Sequence, residues 1–160
     1  MQGVQFILSE SGLAGALERL EAMGRMEFYE LTQGLAALGV SQTQKRIEEE
    51  KTAPDGGAWP ATRDGRGALF VDGSHLYSSI QADFDADHAT WGTGWIGARV
   101  HQYGATIVPR NAKALAFVAG GSAVFARKAT IPARPFIGLS AANAAEMEET
   151  GAQFLERYVR

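Results

Sequence analysis

The chain contains no cysteine. Disulfides and thiolate chemistry are therefore outside its repertoire, and the composition fits a reducing compartment. No stretch of about 18 unbroken apolar residues occurs, so no transmembrane helix and no membrane partner are expected. The opening "MQGVQFILSE" lacks a basic segment and a cleavage site, so no signal peptide is expected. Acids are missing over a long interior. Between His88 and Ala145 there is none, while six bases fall there: Arg99, Arg110, Lys113, Arg127, Lys128 and Arg134. The preceding part, Met1 to Asp87, holds 14 acids and 7 bases, and Glu146 to Arg160 holds 4 acids and 2 bases. The formal net charge of -3 thus conceals a polarity. Such a polarity serves a nucleic acid or a complementary surface on a neighbouring copy, unless folding scatters the charges.

What is present suits one domain, Met1 to Arg160, since 160 residues with 46% apolar content can build a core. Val4 to Leu8 reads as a short strand. Ser11 can cap a helix to about Met23, with Leu13, Leu17 and Leu20 on one face. A longer helix is expected from about Met26 to Lys51, with a stripe of Phe28, Leu31, Leu35 and Leu38 and "KRIEEEK" as its solvated end. "TAPDGGAWPATRDGRG" reads as a loop. Its Trp59 is expected to dock on the body of the fold or on a partner.

Asp72 and Gly73 read as a turn before a short helix carrying Leu76, Tyr77 and Ile80. "IQADFDADHATW" alternates, with Phe84 and Ala86 against Asp83, Asp85 and Asp87, as a half-buried strand would. "GWIGARVHQYG" reads as a turn into a short helix ending at Gly104. In "ALAFVAGGSAVFA", Gly120-Gly121 suits a tight hairpin turn. Pairing about it puts Leu115, Phe117, Val124 and Ala126 on one face and Ala116, Val118, Ala123 and Phe125 on the other. Both faces are apolar, so one needs a cover from its own helices or from a neighbour. Ser140 caps a last helix, striped by Met147, Gly151, Phe154 and Tyr158. The expected fold class is α+β, a mainly antiparallel sheet with a β-hairpin, packed against N-terminal helices and a C-terminal helix.

Motifs for chemistry are weak. "GTGWIG", Gly92 to Gly97, matches G-x-G-x-x-G, but no acid follows before Glu146 and no regular βαβ unit follows either. Asp72, Ser74 and His75 lie together in "DGSHL" without a nucleophile elbow, and read as a turn with a helix cap. His75, His88 and His101 show no H-x-x-x-H or E-x-x-H spacing. A metal-dependent hydrolase built on His88 and the nearby aspartates is a third functional reading. No catalytic residue, cofactor or metal is expected.

In "ATIPARPFIGLS", Pro132 and Pro135 fix φ and restrict the residues before them. Arg134 is held between them, its planar fork suited to a carboxylate or to backbone carbonyls. Phe136 adds an apolar anchor, and an aromatic beside an arginine fits an interface hot spot. The strip also reads as a connector whose Arg134 pairs inside the same subunit.

Three pieces in order, "PDGGAWPA", "LFVDGSHLYSSI" and "VHQYGATI", precede a hairpin ending in "IPARPFIGLS". On these the sequence resembles the Mu-like phage virion morphogenesis family, the tail-completion or neck proteins of tailed phages, over roughly Met26 to Arg160. The resemblance implies a structural assembly protein rather than an enzyme. It would complete the head or the tail before the two join, as a homo-oligomeric ring, in the virion and, during assembly, in the host cytoplasm. Tail tube, tail terminator or head connector proteins would be its partners. Trp59, His101, Gln102, Tyr103, Pro132, Arg134, Pro135 and Phe136 are the candidate interface or scaffold positions. Arg99, Arg110, Lys113, Arg127 and Lys128 are candidates for a channel wall or a partner-facing surface. The alternative is a DNA-binding or DNA-processing phage protein using the basic 99–134 segment without sequence preference.

Overall fold

A computed structural model of the protein describes residues 28–62, 68–69, 75–119 and 121–159, together with residues 15, 17, 18, 20, 21 and 24. Those last six are helical; five fall within the first helix expected from sequence, and Gly24 lies one residue past its expected end. The expected strand at Val4 to Leu8 and the Asp72-Gly73 turn lie outside the described residues.

The long helix, α1, spans Tyr29–Lys45 and runs on as one wide turn of π-helix over Arg46–Glu50. Its buried line is not the leucine stripe. Thr32, Ala36, Gly39, Gln42 and Thr43 are buried, whereas Leu31, Leu35 and Leu38 are half-buried flanks and Phe28 is exposed. Small residues at the centre of the face let neighbouring elements approach the helix axis closely. The end of the helix also departs from expectation. Glu48, Glu49 and Glu50 are solvated, but Arg46 and Ile47 are fully buried, because the wider turn carries both inward. Lys51, in the left-handed region at φ 54°, stops the helix.

The aspartate-rich segment is two strands rather than one. β1 (Ile80–Phe84) pairs antiparallel with β2 (Ala89–Thr93), and residues 85–88 turn between them. Asp85 makes that turn. Its carboxylate accepts the backbone N–H groups of Asp87 at 2.8 Å and of His88 at 2.7 Å, the side-chain mimicry of a turn that aspartate favours. Alternation alone could not separate strand from turn, because the turn happened to keep the period. The hairpin lies on α1: Thr32 donates its hydroxyl to the Asp85 carbonyl, and the Tyr29 and Phe84 rings meet edge-on at 5.3 Å.

A short helix, α2 (His75–Ser78), precedes β1. Beyond β2, the helix α3 (Ala98–Tyr103) ends at Gly104, whose φ of 72° favours glycine. β3 (Ala105–Ile107) then pairs with β6 (Ala129–Ile131), and between them β4 (Leu115–Ala119) pairs with β5 (Ser122–Ala126). All pairings are antiparallel, in three separate two-stranded sheets among the described residues. The β4–β5 register sets Phe117 opposite Val124 and Ala116 opposite Phe125, the pairing expected from the sequence.

α4 (Ala141–Val159) is capped by Ser140, whose hydroxyl accepts the Asn143 N–H at 3.1 Å. Its Phe154 is buried beside the Phe28 ring at 6.3 Å, and Gln42 of α1 donates to Glu146 at 2.7 Å. The core is Ile47, Trp59, Leu76, Ile80, Ala98 and Phe136. It sits where the end of α1, the tryptophan loop, α2, α3 and the proline strip converge. No helix among the described residues is long and apolar enough to cross a membrane.

Two glycines of α1 have opposite expectations. A Cβ on Gly39 would fall onto the ring carbons of Trp91, while one on Gly34 would meet open space. Gly34→Ala should raise stability by about 0.5–1 kcal/mol through helix propensity. Gly39→Ala should lower it by about 1–3 kcal/mol through overpacking. Urea unfolding midpoints of the two variants check the difference in sign.

Candidate functional site

The strip from Pro132 to Ser140 has no strand or helix partner of its own, yet Arg134 is only 6% and Phe136 0% exposed. Buried backbone must find hydrogen-bond partners, and here one distant carbonyl and several distant side chains supply them. The Arg134 N–H donates to the His101 carbonyl at 2.7 Å. The indole Nε1 of Trp59 donates to the Pro135 carbonyl at 2.9 Å. Gln102 serves the next two residues: its Oε1 accepts the N–H groups of Phe136 and Ile137 at 3.0 and 3.1 Å, and its Nε2 donates to the Ile137 carbonyl at 3.0 Å. Arg46 donates to the carbonyls of Phe136 at 3.1 Å and Gly138 at 2.8 Å, and also to Asn143 Oδ1. Proline at 132 and 135 removes two N–H groups that would otherwise need partners.

Arg134 returns the favour to the tryptophan loop. Its Nε donates to the Pro60 carbonyl at 2.9 Å and its Nη2 to the Ala61 carbonyl at 3.1 Å. Trp59 and Arg134 thus form a reciprocal clamp, each side chain holding the backbone beside the other. The guanidinium takes carbonyls, not a carboxylate, and its contacts lie within the chain. Burial lowers its pKa from the usual guanidinium value.

The structure therefore brings Trp59, His101, Gln102, Arg134, Pro135 and Phe136 into one hub. His101 is half-buried and stacks on Trp95, with ring centroids 5.6 Å apart and 9° between planes. Its Nδ1 is buried without a partner among the described residues. Burial, and then the nearby Arg134 charge, lower its pKa. Tyr103 and Pro132 stand apart on the surface. Sequence reasoning missed Arg46, Gln42 and Asn143, which tie α1 and α4 to the hub. The available signal was a lone arginine continuing the helix face at i+4 from Gln42.

The other bases of the acid-free segment, Arg99, Arg110, Lys113, Arg127 and Lys128, are all exposed. The β4–β5 register closes the hairpin at Leu115 and Ala126, which sets Lys113 near Arg127 and Lys128 at its base. Of the weaker motifs, "GTGWIG" crosses from an antiparallel strand into a helix of six residues, which is not the nucleotide-binding arrangement. Asp85, Asp87 and His88 lie within 4.8 Å of one another, all exposed. The Asp85 carboxylate is engaged by the turn, and those backbone N–H groups hold its pKa below the usual range.

The sequence matches the model of the phage virion morphogenesis family over residues 9–156. The match begins earlier than the resemblance read from motifs, taking in most of the first helix. No curated protein and no solved structure matches the chain.

Two measurements test the hub. Arg134→Met leaves the Pro60 and Ala61 carbonyls without their donor and should cost about 1.5–3 kcal/mol per charged hydrogen bond lost. Trp59 emission should shift red, and Arg134→Lys should recover only part of the loss, because an ammonium lacks the fork. His101 titrates in the opposite sense to a paired histidine. Its folded pKa lies below the unfolded value of 6.5, so the unfolded state binds more protons in that window. Stability is complete above pH 6.5 and falls as pH drops toward the folded value. Unfolding free energy measured against pH should show this slope, and His101→Phe, which keeps a ring against Trp95, should flatten it.

Proposed function

The chain belongs to the phage virion morphogenesis family, and from that premise we propose that it is a non-enzymatic assembly subunit that completes the tail or the head-tail junction as a ring. The observation that carries the reading is the family match over residues 9–156. The structure supports it physically. Trp59, Gln102, Arg134 and Arg46 hold backbone with their side chains, which makes a stiff body. Other charges are exposed outside the hub. Glu48, Glu49 and Glu50 project from the end of α1, and Asp83, Asp85 and Asp87 from the β1–β2 hairpin. Of the exposed bases in the acid-free segment, Lys113, Arg127 and Lys128 lie instead at the base of β4–β5. In a head-to-tail ring each copy presents two different surfaces, and opposite charges on them steer association and fix its register. Tail tube, tail terminator or head connector proteins would meet the ring in the virion.

A second reading rests on the same five exposed bases. They could line a channel and touch DNA phosphates without reading sequence, or serve a DNA-binding protein acting alone.

Light scattering across concentration and salt separates the two. The ring reading expects a discrete oligomer of integral chain mass that dissociates as salt screens the exposed charges. An Arg127→Glu, Lys128→Glu double variant should weaken it in the same way. A monomer at every concentration, retained on DNA at low salt and released as salt rises, would replace the ring with the DNA reading.

A further inference from the structure

The hairpin β4–β5 is the least covered part of the fold. On its outer face Val118 and Phe125 are each 75% exposed. Its inner face does not close onto the body. An open cleft of about 740 Å³ separates it from the β3–β6 pair, lined by Leu115, Phe117, Val124 and Ala126 with Ile107 and Ile131 opposite. Lys128 lines this cleft, and exposed Lys113 and Arg127 flank the hairpin end that borders it. The cleft is thus an apolar slot with a cationic mouth. An unfilled apolar concavity of this kind marks a docking site.

The same chain carries a matching surface. In the first helix Leu17 and Leu20 are 51% and 63% exposed, three residues apart and so on one side of the helix. Glu18 and Glu21 beside them are also exposed. This is an apolar ridge with an anionic edge. Its sign and its shape are the complement of the cleft: two branched side chains to enter the slot and two carboxylates to meet Lys128 and its neighbours.

We propose that the cleft between β4–β5 and β3–β6 receives the Leu17–Leu20 ridge of a second copy of this chain. The contact is heterologous, slot to ridge, so every copy uses both surfaces and successive copies continue head to tail. It rests on the ring reading and deepens it by naming the two surfaces. Burying leucine in the slot supplies the apolar part of the association, and the carboxylates select the orientation.

The absence of native cysteine makes the test direct. Ala126→Cys places a thiol in the slot and Leu17→Cys one on the ridge. The two proteins are mixed with a short thiol-reactive bifunctional linker. The expected result is a covalent dimer containing one chain of each kind, severalfold more abundant in the mixture than in either variant alone. It should fall on charge reversal by Glu18→Lys, Glu21→Lys and return when that chain is mixed with a Lys128→Glu slot partner. Lys128→Cys, at the exposed rim, repeats the slot measurement should Ala126→Cys disturb the hairpin, and thermal melts confirm that each variant is folded. Four outcomes overturn the inference. An oligomer by light scattering with no mixed crosslink leaves the ring reading standing but removes this contact. Crosslinking of Ala126→Cys with itself makes the contact hairpin to hairpin. A link formed within one chain of the Leu17→Cys, Ala126→Cys double variant at high dilution makes the ridge its own chain's cover. A strict monomer without any crosslink removes both the contact and the ring.

Discussion

The reciprocal clamp between Trp59 and Arg134 is the interaction on which the rest of the structure depends. Each residue donates to the main chain next to the other, Trp59 to Pro135 and Arg134 to Pro60 and Ala61. Neither segment is a strand, so main-chain pairing satisfies each only in part, as in the Trp59 N–H to Lys51 carbonyl and Arg134 N–H to His101 carbonyl bonds. The clamp lets two irregular segments be buried against each other, and Phe136 and Trp59 both enter the core as a result. Gln102 and Arg46 extend the same solution along the strip. The strip works as a strand made of side-chain partners, drawn from α1, α3 and the tryptophan loop. That construction locks four parts of the chain with polar groups whose geometry admits little slippage, since an unpaired buried carbonyl is costly.

Such a construction explains which parts were legible in the sequence. Local chemistry was. Ser140 announced the start of α4, Gly104 the end of α3, and Gly120-Gly121 the register of β4–β5. The two proline positions correctly marked a strip of fixed direction, and Trp59 was correctly expected to dock. Long-range partners were not. Nothing in the period of "KRIEEEK" separates a solvated arginine from one reaching the Phe136 and Gly138 carbonyls about ninety positions away. The leucine stripe of α1 misled for a related reason. Its packing is decided by what lies against it, and β1–β2 brings Trp91 to Gly39, so the smallest residue marks the closest approach. The aspartate segment failed because a turn with Asx geometry continued the alternation of the strand before it.

The hub also sorts the charges. Of the bases between His88 and Ala145, Arg134 alone is buried, and it is there because a planar donor was needed for two carbonyls. The remaining five are at the surface with no acid of their own segment near them in sequence. Arg46 is the counterpart on the acidic side, withdrawn from the surface for the same structural purpose, and its removal leaves Glu48, Glu49 and Glu50 more dominant there. Burying the two structural arginines therefore sharpens the polarity on the acidic side while barely diluting it on the basic side.

The body and the hairpin arm then have different mechanical characters. The body is cross-linked by side chains at many points. The arm joins it through β3 and β6, a ladder of three residue pairs, next to Gly104 and Pro132, which bound the ladder on the hub side. A short ladder between two conformationally restricted residues sets the direction of the arm while leaving its apolar faces clear of the core. Folding the arm down onto the body would cover those faces but would require the ladder to bend where Gly104 packs against the backbone of Ile131 and Ala133. The constraint that anchors the strip is thus the same one that holds the hairpin out. The result is an apolar arm held away from its own body, the surface that the proposed contact with a second copy would cover.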